Sequence, residues 1–159
     1  MTEETPPAHD GIGVLLVEGD PSVRRARQIM LLSEQYDVRS YATGAAVLAD
    51  PRSRAVPCIV VDTEGSPGAG IDVLQALRAS GWRGTAILLD GSAPAPALLR
   101  AAERHGDRVL DRATGDGALL SAIAASLGYD RSGTGPHAGA HATAPNNVRR
   151  DAANAAGSA

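Results

Sequence analysis

The chain has no lysine, no phenylalanine and one cysteine. Every one of its fifteen cations is therefore arginine, a planar, permanently charged fork and not a point charge on a flexible stem. A lone cysteine excludes an internal disulfide, and Cys58 lies inside an apolar run, which marks it as a packed thiol. No apolar stretch approaches the ~20 residues that cross a bilayer. The leader Met1-Thr2-Glu3-Glu4-Thr5-Pro6-Pro7 is acidic where a secretory signal is basic, so the expected location is the cytoplasm. A net charge of -3 supplies no general attraction to nucleic acid or to membranes. With 43% hydrophobic residues in 159, there is room for one core-bearing domain.

What is present is a series of short β-branched runs that end in acids. Cys58-Ile59-Val60-Val61-Asp62 reads as a strand buried on both faces, leaving the sheet at Asp62 and entering the turn-rich Thr63–Gly70. Ile12–Val17 is a second such run, followed by Glu18-Gly19-Asp20-Pro21. Asp20 as N-cap and Pro21 at the first helical position predict a helix to about Tyr36. Its Val23, Ala26, Ile29 and Met30 recur at helical spacing, which predicts that Arg24, Arg25 and Arg27 point outward.

Asp37–Tyr41 alternates as a strand does, and Ala42–Ala49 is a short helix stopped by Asp50-Pro51. Ile71, Leu74 and Leu77 mark a helix that Gly81 closes, and Thr85–Leu89 is a strand finishing on Asp90-Gly91. A helix over Pro94–His105, a short strand at Val109-Leu110 and a helix carrying Leu119, Leu120, Ile123 and Leu127 complete the pattern. Residues 1–10 and 129–159 lack the apolar groups to offset the entropy of ordering, which leaves 11–128 as the folded unit between a disordered leader and tail.

Five strands alternating with five helices specify an α/β fold, a flavodoxin-like doubly wound parallel sheet of order 2-1-3-4-5 in a single domain. Ligands bind such sheets at the carboxyl ends of the strands, at the switch point between the first and third. Glu18, Asp62, Asp90 and Arg112 should therefore converge on one rim, with Gly19 and Asp20 beside them.

These residues resemble the receiver domains of response regulators, of the kind found in chemotaxis and nitrogen-fixation regulators. The similarity rests on Leu16-Val17-Glu18-Gly19-Asp20-Pro21-Ser22-Val23-Arg24 and on Asp62 followed by Gly70-Ile71-Asp72-Val73-Leu74, and runs from about Val14 to Leu127. The resemblance implies that Asp62 accepts a phosphoryl group from a histidine kinase, helped by Mg²⁺. It also implies a second acid as metal ligand, a Thr or Ser that donates to the phosphoryl group, and a lysine that pairs with it. Those three positions hold Gly19, Asp90 and Arg112.

Each replacement changes the chemistry. Gly19 has no side-chain oxygen, so Mg²⁺, which demands near-octahedral oxygen ligands, is left with Glu18, Asp20, Asp62 or water and should bind weakly. Asp90 is acceptor-only, and two unit charges ~4 Å apart repel by about 4 kcal/mol at an effective dielectric near 20. Arg112 can form a permanent ion pair with Asp62 or Asp90. The bland readings are an Asp20 that only caps a helix, an Asp90-Gly91 that is only a turn, and an Arg112 that reflects a lysine-free composition.

Three functions follow. The first is an atypical receiver that signals through protein contacts with impaired or absent Asp62 phosphorylation. The second is a working phosphoacceptor with an unusual metal site built from Glu18, Asp20 and Asp62. The third, suggested by Asp62-Thr63-Glu64 after an apolar strand, is an aspartate-nucleophile phosphatase similar to the haloacid dehalogenases. That family's lysine is missing from this chain, and no cap domain fits in it. The expectation is a non-enzyme whose partners are a histidine kinase or a downstream signalling protein. Leu99, Arg100 and Arg104 are candidates for the docking or homodimer face formed by the fourth and fifth helices. Nothing beyond Gly128 resembles a helix-turn-helix. His137 and His141 are too weak a pair to imply a metal, and Gly11-Ile12-Gly13 precedes its strand and so is not a dinucleotide loop.

Overall fold

A computed structural model describes residues 11–62, 69–91 and 94–128. The expected leader and tail, the His137/His141 pair and the turn Thr63–Gly68 lie outside them. The elements are β1 (Gly13–Val17), α1 (Pro21–Ser33), β2 (Asp37–Tyr41), α2 (Gly44–Ala49), β3 (Cys58–Asp62), α3 (Ala69–Ala79), β4 (Thr85–Asp90), α4 (Pro96–His105), β5 (Arg108–Asp111) and α5 (Asp116–Ser126), with a 3-10 turn over Pro51–Ala55 between α2 and β3. The strands pair in parallel in the order β2-β1-β3-β4-β5. This is the doubly wound α/β sheet that the sequence specifies.

Alternation along the three central strands divides the core. Val14, Leu16, Cys58, Val60, Ile87 and Leu89 face one side, where Leu31 of α1 and Leu119 and Ile123 of α5 cover them. Leu15, Val17, Ile59, Val61 and Leu88 face the other, beneath Val47, Leu74, Leu77 and Leu98. Strands buried on both faces need near-continuous apolar runs, which is what β1, β3 and β4 supply.

Boundaries shift by a few residues from expectation. α1 stops at Ser33 because the chain turns through Gln35, which adopts a left-handed φ of 69°, and Tyr36 returns to the core. α4 starts at Pro96 and ends on Gly106 at φ 71°, a left-handed cap for which glycine carries no steric penalty. Trp82 is a packing residue: it is 2% exposed, its indole Nε1 donates to the Val56 carbonyl at 2.7 Å, and the Arg78 guanidinium lies 5.3 Å from the ring centre.

Cys58 is fully buried, and burial pushes its thiol up to about 12. A thiol that does not ionise near neutrality does not react. The native chain should thus resist an aromatic disulfide reagent at pH 8 over the time in which the urea-unfolded chain is fully labelled. Rapid native labelling would contradict this burial.

Candidate functional site

Strand register builds the site. Val17 is aligned with Val61 across β1 and β3, so the next residues, Glu18 and Asp62, leave the sheet side by side. Asp62 is itself aligned with Leu89, and Asp90 with Asp111, which delivers Arg112 to the same rim one residue later. Glu18 and Asp62 both have side chains only 2% exposed. Two buried carboxylates need compensation, because a charge removed from water costs several kcal/mol unless it is paired.

The compensation comes from two arginines. Arg27 Nη1 donates to Glu18 Oε2 at 2.6 Å and to Asp62 Oδ2 at 2.9 Å, so one nitrogen bridges both acids. Arg112 Nε donates to Asp62 Oδ1 at 2.8 Å. Each Asp62 oxygen therefore accepts from an arginine. Arg24, one turn before Arg27, donates from Nη1 to the Glu18 carbonyl at 2.9 Å. Burial pushes the Glu18 carboxyl above its ordinary range, and neighbouring Asp62 pushes the same way against the pull of Arg27.

Arg24 and Arg27 are the residues that sequence reasoning placed wrongly, whereas Arg25 is exposed as expected. The apolar stripe of α1 pointed to an outward Arg27, whereas its side chain is only 13% exposed, and Val23 and Ile29 are the ones in solvent at 37% and 56%. The helix starts where Asp20 caps it by accepting from the amides of Ser22 and Val23. From there Arg24, Arg27 and Leu31 fall on one face, and Leu31 is the α1 residue that is fully buried. That i, i+3, i+7 spacing was the available signal, and it lost to a more apolar stripe.

The remaining candidates sit as follows. Asp20 is exposed, and its Oδ1 serves as the α1 cap. Gly19 is exposed; a Cβ added there would meet only the Ala42 carbonyl, at 3.9 Å, so this position has room for a side chain but offers no ligand. Asp90 turns Oδ1 onto the Gly91 amide, and its carbonyl accepts from the Arg112 amide at 2.6 Å, which ties β4 to the start of the β5–α5 loop. Leu99, Arg100 and Arg104 are exposed on α4.

Divalent metal does not fit this arrangement. Mg²⁺ needs oxygen ligands at about 2.0–2.1 Å, and the two oxygens that would face it, Glu18 Oε2 and Asp62 Oδ2, both already accept from Arg27 Nη1. Among the described residues, no group of three or more His, Cys, Asp or Glu is placed to hold an ion. No described helix is long and apolar enough to cross a membrane.

No protein-family model matches the chain. It is 27% identical over 121 residues to the transcriptional regulatory protein FixJ of Azorhizobium caulinodans, covering 75% of this chain and 56% of that one. The chain thus spans little more than half the length of this relative. Among solved structures it resembles a response regulator receiver protein from Burkholderia phymatum, with a TM-score of 0.59 and 25% identity over 74% of this chain and 96% of that one. It also resembles the chemotaxis protein CheY4 of Vibrio cholerae, with a TM-score of 0.63 and 20% identity over 73% and 98%. In strand order and extent, the folded part of this chain has the fold of response-regulator receiver domains, and its sequence is similar to theirs.

Proposed function

We propose that this chain is an atypical receiver of two-component signalling, a non-catalytic cytoplasmic module that works through protein contacts and does not run an acyl-phosphate cycle at Asp62. The observation that carries this reading is the pair of arginines on Asp62, one on each carboxylate oxygen. Phosphoryl transfer needs an oxygen aligned with phosphorus and a cation that neutralises the transferred group. Here the attacking oxygens already accept charge-assisted hydrogen bonds, which are the strong ones. Gly19 and Asp90 remove the second metal ligand and the hydroxyl donor that the family otherwise supplies.

Output then depends on a surface. The outward side of α4 offers Leu99, 42% exposed, next to the exposed Arg100 and Arg104, and this apolar-cationic patch suits an acidic partner or a second copy of the chain. The test of the site is direct. Incubation of the full chain with acetyl phosphate and Mg²⁺ should leave its intact mass unchanged. An added mass of about 80 Da that disappears in Asp62→Ala would overturn the reading in favour of a working phosphoacceptor.

A further inference from the structure

We infer that Arg27 is a built-in cation standing where the receiver fold holds a divalent metal, so that the natural pocket takes no divalent ion and removal of the arginine uncovers a site that does. The inference deepens the contact-signalling reading and shares its site, but it concerns metal, not phosphate.

Four observations converge on it. The bridging is done by one atom, Nη1, at 2.6 Å and 2.9 Å from oxygens of two different acids, which is how a cation between carboxylates is placed. Arg27 is 13% exposed although it belongs to a surface helix, so its burial is imposed by the acids. Gly19 offers no ligand while leaving space for one. Finally, α1 leaves Ile29 in water at 56% exposure in the same rotation that buries Leu31 and turns Arg24 and Arg27 toward Glu18, so the acids and the core select one helix phase.

The charges explain why the two cations exclude each other. Glu18 and Asp62 carry two negative charges, and Arg27 with Arg112 balances them. A divalent ion added to this set would sit beside a guanidinium and find its ligands' lone pairs already engaged. Without Arg27, the two buried carboxylates lose the nitrogen that bridges them, while Arg112 stays on Asp62. Mg²⁺ and Mn²⁺ are held in other sites by one or two carboxylates plus water, and that is the ligand set the deletion leaves.

The experiment compares the full natural chain with Arg27→Ala by thermal unfolding in EDTA and in ~10 mM MgCl₂ or MnCl₂. The natural chain should melt at the same temperature in all three. Arg27→Ala should melt several degrees lower in EDTA and recover by about 4 °C or more in metal, through preferential binding to the folded state. Arg27→Ala combined with Glu18→Gln should lose that recovery. A metal-dependent rise in the natural chain, or none in the variant, overturns the inference. Should Arg27→Ala not fold, Arg27→Gln is read by Mn²⁺ broadening of the amide signals of Val17, Glu18 and Asp62; no broadening there overturns it equally. The two readings fail separately: a phosphorylated species formed in EDTA would sink the contact-only function and leave Arg27 as the internal cation.

Discussion

Asp62→Ala is expected to destabilise the fold by roughly 3 kcal/mol, the lower end of the range for breaking a buried ion pair. The substitution strips one acid from beneath two arginines. Arg27 retains Glu18 at 2.6 Å, which limits the loss, and Arg112, 28% exposed, can turn to water. What remains is the lost hydrogen bonding of both guanidinium groups and a net positive charge at a nearly dry rim. Urea unfolding should show a lower midpoint with an unchanged slope. Asp62→Asn, which keeps an acceptor for one arginine, should fall between the two. An Asp62→Ala chain as stable as the natural one would mean that the arginine contacts add nothing, and the reading of Asp62 as an internal anchor would fail with it.

Trp82→Ala is expected to cost about 3–5 kcal/mol, a large share of the 5–15 kcal/mol by which domains of this size are stable. Its side chain sits in the layer formed by α2, α3 and α4, with Leu74, Leu77 and Leu98 in the same cluster. Removal would also leave the Val56 carbonyl without its 2.7 Å donor and take the aromatic face from Arg78. The neighbourhood cannot close over the gap cheaply, because Gly84 is pressed against the indole and the Pro57 carbonyl. Trp82→Phe should recover part of the loss but leave the carbonyl unpaired. Circular dichroism is the measurement for the variant, since Trp82 is the chain's only tryptophan and its fluorescence disappears with it. A midpoint close to that of the natural chain would contradict the packing described for this layer.

Much of the fold was legible because its signals are local and redundant. The runs Val14–Val17, Cys58–Val61 and Ala86–Leu89 can be little else than two-sided strands, and the Asp20-Pro21 pair announces a helix start that the structure reproduces. The rim residues were legible as positions, since a parallel sheet of this order aligns the exits of β1 and β3. Their chemistry was less so. An Arg112 contact with Asp62 was within reach, because both lie at strand ends. The inward Arg27 was not, because apolar periodicity alone votes for the stripe of Val23, Ala26 and Ile29. The vote is overruled by two buried anions that come from other segments of the chain, together with Leu31, which the same phase buries in the core. A helix's phase is a tertiary property when a charge, and not only an apolar face, must be satisfied.

That rotation of α1 has a colloidal consequence. Val23, Ile29 and Leu32 stand outside the core at 37%, 56% and 48% exposure on a helix whose opposite side is committed to the acids. Sulfate and other salting-out ions strengthen contact between such greasy side chains, so α1 is where concentrated samples of this protein should first adhere to one another, and glutamine at position 29 should raise the precipitation threshold.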